Sequence, residues 1–178
     1  MKANEKKVHK FTLNTASLER KFSVYIIIAK GLAMKKDIAL YVGKTGDNRM
    51  GCNPIISRCG NHFSYNKIHS QMRNKITSYL KNKLLDREYT FLFVHFYDYD
   101  DKNLASNKIK IYKINEAERQ LNKKVQDLIK DKKYCKLLNK YSGKGVSKKV
   151  AHARSLLLDK LDYEKLDLLV DALRENIL

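Results

Sequence analysis

The hydrophobic residues of this chain follow a two-residue repeat first and a helical repeat later. Over Phe22 to Ala29 the apolar side chains alternate, so Val24 lies on one side of a predicted strand and Tyr25 on the other. A second short apolar run, Ala39 to Val42, predicts a neighbouring strand, and the aromatic run Tyr89 to Tyr97 predicts a third. These segments indicate a sheet in the first half of the chain.

Later segments show helical spacing. Apolar residues three to four positions apart predict amphipathic helices over Asn66 to Leu85 and over Lys108 to Lys130. A start at Asn115, with Glu118 completing a capping box, is an alternative for the second helix. The leucine-rich segment 147–178 is also helical in character. Together the elements predict an α/β (α+β) fold with a small central mixed or antiparallel sheet of three strands, flanked by helices.

The length of the chain places these elements in one domain. A chain of 178 residues can bury a sizeable core but is short for two full domains. We expect a basic N-terminal arm over 1–21, the main domain over 22–146 and a helical C-terminal extension over 147–178. Within the arm, Asn14 or Thr15 is expected to cap a short helix.

The charge of the chain indicates its partner. Lys and Arg number 37 against 19 Asp and Glu, a formal charge of +18 that favours a polyanion, with nucleic acid first. The last twenty residues, Asp159 to Leu178, carry a net charge of −3 and suit packing or homodimer formation better than contact with DNA. No stretch approaches the ~18 consecutive apolar residues of a spanning helix. We therefore expect a soluble, cytoplasmic protein that does not bind membranes.

Cysteine and acidic residues offer two alternative metal sites. The three cysteines form no Cys-x-x-Cys pair, which favours reduced thiols over a disulfide framework. A zinc site could use four ligands whose spacing matches no standard zinc finger: Cys52, Cys59, His62 and His69. An acidic cluster after the third strand could also hold a metal, although a polar turn is the favoured interpretation: Asp98, Asp100 and Asp101.

A more specific set of residues surrounds the first two strands. Tyr25 and Tyr41 lie on adjacent predicted strands, and Gly43 ends the second strand at a point where we expect a need for freedom in φ. Arg58 and His62 follow, and their spacing of four residues puts them on one face if this segment is a helix rather than an irregular turn. Each residue alone has an ordinary structural explanation, but their order along the chain favours a functional site.

The order of these motifs resembles the GIY-YIG endonuclease superfamily. Ser23-Val24-Tyr25 stands in the place of Gly-Ile-Tyr, and Tyr41-Val42-Gly43 stands in the place of Tyr-Ile-Gly. The spacing Arg58-x-x-x-His62 is similar to that of the restriction-enzyme branch. The resemblance covers Phe22 to Asn139, and it implies a small sheet flanked by helices, a divalent metal and double-stranded DNA as substrate.

The resemblance also implies roles for individual residues. Glu118 would bind Mg²⁺ or Mn²⁺, and Glu116 is the fallback ligand. Asn139 resembles the asparagine that closes the core of the family, although it follows Glu118 by 21 residues, more than the family spacing implies. The implied catalytic set is Tyr25, Tyr41, Lys44, Arg58, His62 and Glu118, and the implied DNA contacts are Lys44, Arg49, Arg58 and Asn139.

The general base stays open among Tyr25, Tyr41 and His62. A tyrosine has an unperturbed pKa near ~10, so a nearby cation such as Lys44 or Arg58 would have to favour the phenolate. His62 titrates closer to neutral pH and is the easier base on that ground.

These expectations describe a metal-dependent endonuclease that acts on double-stranded DNA in a bacterial cytoplasm, of the type II restriction or a related defence class. One alternative is a structure-selective repair nuclease. A second is a non-catalytic nucleic-acid-binding module that uses the basic surface, and a third is an interaction protein built on the C-terminal helices. The recognition sequence and the oligomeric state are not encoded in any pattern that we can interpret.

Overall fold

The computed structural model describes six stretches of the chain, residues 10–32, 37–46, 51–66, 68–79, 84–143 and 147–177. Within them a short 3-10 helix, Thr15–Leu18, is capped by Asn14 and precedes four strands and five helices. In chain order these are β1 (Lys21–Gly31), β2 (Ile38–Lys44), α1 (Ile55–Phe63), α2 (Gln71–Tyr79), β3 (Arg87–Asp98), α3 (Leu104–Ile129), β4 (Cys135–Leu137), α4 (Lys148–Ser155) and α5 (Lys160–Ile177).

The strands form one mixed sheet in the order β3-β1-β2-β4. Strand β1 pairs antiparallel with β2 and with β3, whereas β4 pairs parallel with β2. The predicted α/β class and the mixed sheet are confirmed, but the prediction of three strands is wrong. The fourth strand, β4, has only three residues, too few for an alternating pattern to reveal it.

Strand β1 is the centre of the fold because both of its faces are covered. On one face Val24 and Ile26 join a core cluster that contains residues of α3 and α5. On the other face Tyr25 and Ile27 join a second cluster that contains residues of α1 and α2. The alternation predicted over Phe22 to Ala29 is therefore observed, and it separates two cores on the two sides of the sheet.

The acidic residues after β3 form the turn that starts α3. Asp100 accepts hydrogen bonds from the backbone N–H groups of the second and third residues after it. Asn103 caps α3 by accepting a hydrogen bond from Ser106 N at 3.0 Å. The polar turn favoured from the sequence is therefore observed. Because α3 runs without a break over Leu104–Ile129, the alternative helix start at Asn115 is wrong.

The helix predicted over Asn66 to Leu85 is observed only in part. Helix α2 spans Gln71–Tyr79 and follows a turn in which Asn66 Oδ1 accepts a hydrogen bond from Ile68 N at 3.0 Å. Ile68, which the sequence pattern placed on the apolar face, is 77% exposed because it lies in this turn. A side-chain to backbone contact thus replaces the first helical turn that the periodicity suggested.

The C-terminal helix α5 belongs to the main core. Its Leu166 and Leu173 are fully buried in the cluster shared with β1 and α3. Its start is capped reciprocally, because Asp162 N donates to Asp159 Oδ1 at 2.9 Å and Asp159 N donates to Asp162 Oδ2 at 3.3 Å. These buried leucines of the segment considered for dimer formation are therefore covered within the same chain, whereas Leu161 and Leu168 are exposed. None of the described helices, α5 included, is long and apolar enough to cross a membrane.

Tyr97 ties α5 to the sheet, which gives a test of this docking. Its hydroxyl donates to Asp162 Oδ2 at 2.5 Å, and burial together with this carboxylate raises the pKa of Tyr97. In Tyr97→Phe a carboxylate with only 3% exposure loses a donor, so we expect the free energy of unfolding to fall by about 1–3 kcal/mol. Urea unfolding at pH 7 measures the loss. The control is Tyr112→Phe, whose ring is 65% exposed and whose hydroxyl should contribute less than about 0.5 kcal/mol. Equal losses of unfolding free energy in Tyr97→Phe and Tyr112→Phe would contradict the role of Tyr97 in docking α5 on the sheet.

Candidate active site

The register of the sheet puts Tyr25 and Tyr41 on the same face. In the antiparallel pair of β1 and β2, Tyr25 lies opposite Gly43 and Tyr41 lies opposite Ile27. Residues directly opposite each other point to the same side of a sheet. Both rings therefore face the second core cluster, where α1 packs.

His62 lies between the two tyrosines. Its Nε2 is 2.7 Å from the hydroxyl oxygen of Tyr25, and its ring meets the ring of Tyr41 edge-on, with centroids 4.8 Å apart. Tyr25 is 1% exposed and His62 is 3% exposed, whereas Tyr41 is half-buried. The segment left open as helix or turn is helix α1, which carries Arg58 one turn before His62.

Burial keeps the ionisable rings of this site neutral. Burial, and after it the charge of Arg58, lowers the pKa of His62 to about 4. Its Nδ1 is buried and has no hydrogen-bond partner among the described residues. Burial raises the pKa of Tyr41 to about 12, with Glu118 adding to the rise and Arg58 opposing it. Burial also raises the pKa of Tyr25. At pH 7 the site therefore holds one neutral imidazole and two phenols.

Gly43 is required by the close approach of Tyr25. A Cβ atom at Gly43 would lie 2.4 Å from the Cζ atom and 2.4 Å from the hydroxyl oxygen of Tyr25. Gly43 lies inside the regular strand β2, and the described glycines with positive φ are others: Gly46, Gly51 and Gly143. The expected need for freedom in φ at Gly43 is therefore wrong. Glycine is needed there because any side chain would occupy the space of the tyrosine ring.

The structure distinguishes the two candidate carboxylates of α3. The charge of Glu118 acts on Tyr25 and Tyr41, raising the pKa of both phenols. Glu116 is 2% exposed, and its oxygens accept hydrogen bonds from the side chains of the residues three and four positions later, at 3.1 Å and 2.7 Å. Its charge acts on Tyr163 of α5. Glu118 therefore belongs to the tyrosine cluster, whereas Glu116 belongs to the packing of α3.

Lys44 leaves β2 on the other face of the sheet. It lies opposite Val24, whose side chain packs in the cluster of α3 and α5. Its ammonium group donates to the carbonyl oxygen of Gly46. The cation whose charge lowers the pKa of both phenols is Arg58. Arg49, the predicted DNA contact of the following loop, lies outside the described residues.

Asn139 makes a structural contact at the edge of β2. Its side-chain Oδ1 accepts a hydrogen bond from Val42 N at 3.0 Å, and its Nδ2 donates to Val42 O at 2.6 Å. The DNA contact assigned to Asn139 stays a prediction. Sequence analysis missed Asn122, which is 4% exposed and donates to Asn139 O at 3.0 Å. Its position one helical turn after Glu118 was the available signal.

The donor set fits a hard cation only with help from a substrate. No group of three or more His, Cys, Asp or Glu side chains in the described part of the chain could hold a metal ion. Cys52 and Cys59 pack in different core clusters, which separates two ligands of the zinc site considered from the sequence. Glu118 and the nearby phenol oxygens are hard donors. A single carboxylate suits Mg²⁺ when phosphate and water complete the coordination.

The structure thus brings together residues from β1, β2, α1 and α3, namely Tyr25, Tyr41, Arg58, His62 and Glu118. Comparisons of the chain with protein-family models, with curated proteins and with solved structures find no match. What the chain does must be inferred from its own residues and their geometry.

The Gly43 contact can be tested by adding one methyl group. In Gly43→Ala the new Cβ would overlap a tyrosine ring that is buried and hydrogen-bonded, so it cannot move aside freely. We expect the free energy of unfolding to fall by about 1–3 kcal/mol, measured by urea unfolding. Gly60→Ala is the matched control, because a Cβ at Gly60 in α1 meets open space and should stabilise the helix by up to about 1 kcal/mol. A Gly43→Ala variant as stable as the wild type would disprove the contact.

The buried histidine predicts a pH dependence of stability. Above the unfolded-state pKa of His62, near 6.5, both states are neutral; as pH falls towards the folded-state value of about 4, only the unfolded state gains a proton. Wild type should therefore lose about 3 kcal/mol more than His62→Gln between pH 7 and pH 4. Urea unfolding across this range compares the two. Parallel curves would show that His62 titrates normally in the folded state.

Proposed function

We propose that this protein is a metal-dependent endonuclease that hydrolyses phosphodiester bonds in double-stranded DNA. The observation that supports this most strongly is the convergence of five predicted site residues: Tyr25, Tyr41, Arg58, His62 and Glu118. Tyr41, Arg58 and Glu118 are half-buried and form an outer layer that a phosphate can reach. The fully buried pair of Tyr25 and His62 lies beneath them.

The outer layer supplies two requirements of phosphodiester hydrolysis: a cation that neutralises charge on the phosphate and a carboxylate that can hold a divalent metal. The guanidinium of Arg58 can bind a phosphate through two parallel hydrogen bonds and neutralise the charge that develops during attack. Glu118 is the residue that would hold a divalent cation. Mg²⁺ or Mn²⁺, when bound, polarises the phosphate and lowers the pKa of coordinated water. Arg58, on α1, then contacts the same phosphate as the cation held by Glu118, on α3.

Exposure separates the three candidate bases. Water attacks phosphorus and the bond from phosphorus to the leaving sugar oxygen breaks, while one proton of the water passes to solvent and the leaving oxygen takes one proton from solvent. Tyr41 is the candidate that an attacking water can touch, so its hydroxyl accepts the hydrogen bond that orients this water. Tyr25 and His62 are too buried for that contact, and they hold Tyr41 and Arg58 in position from below.

Charge and resemblance support DNA as the substrate. The formal charge of +18 suits a polyanion, and phosphate neutralisation by many cations gives strong but salt-dependent binding. The similarity of the motifs to the restriction-enzyme branch of the GIY-YIG superfamily supports a type II restriction or related defence role. A structure-selective repair nuclease uses the same chemistry on branched DNA, and a substrate panel separates the two.

Cleavage of supercoiled plasmid at low salt, with Mg²⁺ and with EDTA, tests the proposal. Wild type should nick or linearise the plasmid only with the metal, whereas Glu118→Gln should cut at least ~100-fold more slowly because the cation loses its anchoring carboxylate. Glu116→Gln is the matched control, with the same change two residues away on the same helix. It should keep activity, because Glu116 accepts hydrogen bonds from two side chains of α3 and its charge acts on Tyr163 of α5 rather than on Tyr25 or Tyr41.

Other outcomes identify the alternatives. If wild type shifts DNA in a gel but never cuts it with any metal or substrate, the endonuclease is disproved and the basic binding module replaces it. Cleavage confined to branched or flapped DNA would favour the repair nuclease. Equal loss of cleavage activity in Glu118→Gln and Glu116→Gln would contradict the assignment of Glu118 as the metal-binding carboxylate.

A further inference from the structure

A row of side chains on α3 faces the edge of β2. Glu118, Asn122 and Gln126 are spaced four residues apart, so they lie above one another on one face of the helix. Glu118 belongs to the tyrosine cluster, as its effect on the two phenols shows. The two amides that follow it extend the same face towards the C-terminal end of α3.

Asn122 is the hub of a chain of amide hydrogen bonds. Its Nδ2 donates to Asn139 O at 3.0 Å, and its Oδ1 accepts from Tyr141 N at 2.9 Å and from Gln126 Nε2 at 2.8 Å. Gln126 Nε2 also donates to Tyr141 O at 3.1 Å. The segment 138–141 is therefore held against α3 by directional contacts, and the hub itself is 4% exposed.

The chain of amides continues into β2. The side chain of Asn139 makes its two hydrogen bonds with the backbone of Val42, the residue between Tyr41 and Gly43. Leu138 N donates to Leu40 O at 2.8 Å, so the same segment is also paired to β2 one step earlier. An unbroken series of hydrogen bonds thus joins the helix that carries Glu118 to the strand that carries Tyr41.

From this geometry we infer that Asn122 and Gln126 are positioning residues that set the location of Glu118 relative to Tyr41, an inference that rests on the proposed function. Apart from an exposed hydrogen bond from Lys110 Nζ, near the start of α3, to Asp98 O at 2.8 Å, the core contact between α3 and the sheet is apolar packing, which is not directional and allows small slides along the helix axis. Hydrogen bonds with good geometry allow much less sliding of the helix. The amide chain therefore fixes the separation between the metal-binding carboxylate and the tyrosine that contacts the water.

Two glutamines of α3 give a matched pair of variants. Gln126→Ala removes the outer link of the amide chain, whereas Gln120→Ala removes a half-buried glutamine that donates to Glu116 on another side of the same helix. Gln126→Ala loses two side-chain hydrogen bonds, and Gln120→Ala removes one donor from the buried Glu116 carboxylate. Urea unfolding of both variants therefore accompanies the kinetics, which are measured where both are folded. We expect kcat for plasmid cleavage to fall about tenfold or more in Gln126→Ala alone, with KM within twofold, because small misplacements are costly in catalysis. Asn122→Ala should have a larger effect if it folds.

Hydrogen exchange supplies a readout that does not need activity. The amides of Val42 and Tyr141 should exchange faster in Gln126→Ala than in Gln120→Ala, because each donates within the amide chain. Equal kcat values in Gln126→Ala and Gln120→Ala, or equal exchange rates of these two amides, would overturn the positioning role. If wild type cuts no DNA, the proposed function fails, and exchange alone then decides whether the amide chain couples α3 to β2.

Discussion

The contact between the ring of Tyr25 and the backbone of Gly43 fixes the geometry of the whole site. Because Gly43 has no Cβ atom, the ring can approach the backbone of β2 closely, and its hydroxyl lies 2.7 Å from His62 Nε2. This hydrogen bond holds α1 at a set distance from the sheet, and α1 in turn carries Arg58. A larger residue at position 43 would displace the ring, then the histidine and finally the guanidinium. The absence of one methyl group therefore underlies the position of three predicted site residues, Tyr25, His62 and Arg58.

The site lies where two otherwise separate cores meet. Helix α1 packs in the cluster on one face of the sheet, whereas α3 packs in the cluster on the other face. Side chains of the two helices come together at Tyr41 of β2, where Arg58 and Glu118 both act on the pKa of Tyr41. Each helix is positioned by a polar contact to a strand, α1 through Tyr25 and α3 through Asn139. Apolar burial supplies the stability of the two layers, and hydrogen bonds supply their alignment.

Short-range patterns predicted part of this site and missed the rest for physical reasons. Alternation within a strand was enough to put Tyr25 opposite the Val24 face, and the same parity places Lys44 away from Tyr41, three residues earlier. Periodicity places Glu116 and Glu118 on nearly opposite sides of the helix, because residues two apart are separated by about 200°, but it does not say which side meets the site. The choice depends on which side of α3 meets the sheet, which is tertiary information. The same holds for Gly43, whose need for space arises from a ring on another strand.

The pair of Tyr25 and His62 is buried and neutral, so Arg58 lies beside it without a second cation nearby from His62. Burial, and after it the charge of Arg58, disfavours the protonated form of His62 and lowers its pKa. The pair therefore contributes shape and hydrogen bonding rather than charge. Negative charge comes from Glu118 in the chain and, under the proposed function, from the phosphate of the substrate. Binding of that phosphate would give Arg58 a second anionic neighbour beside Glu118.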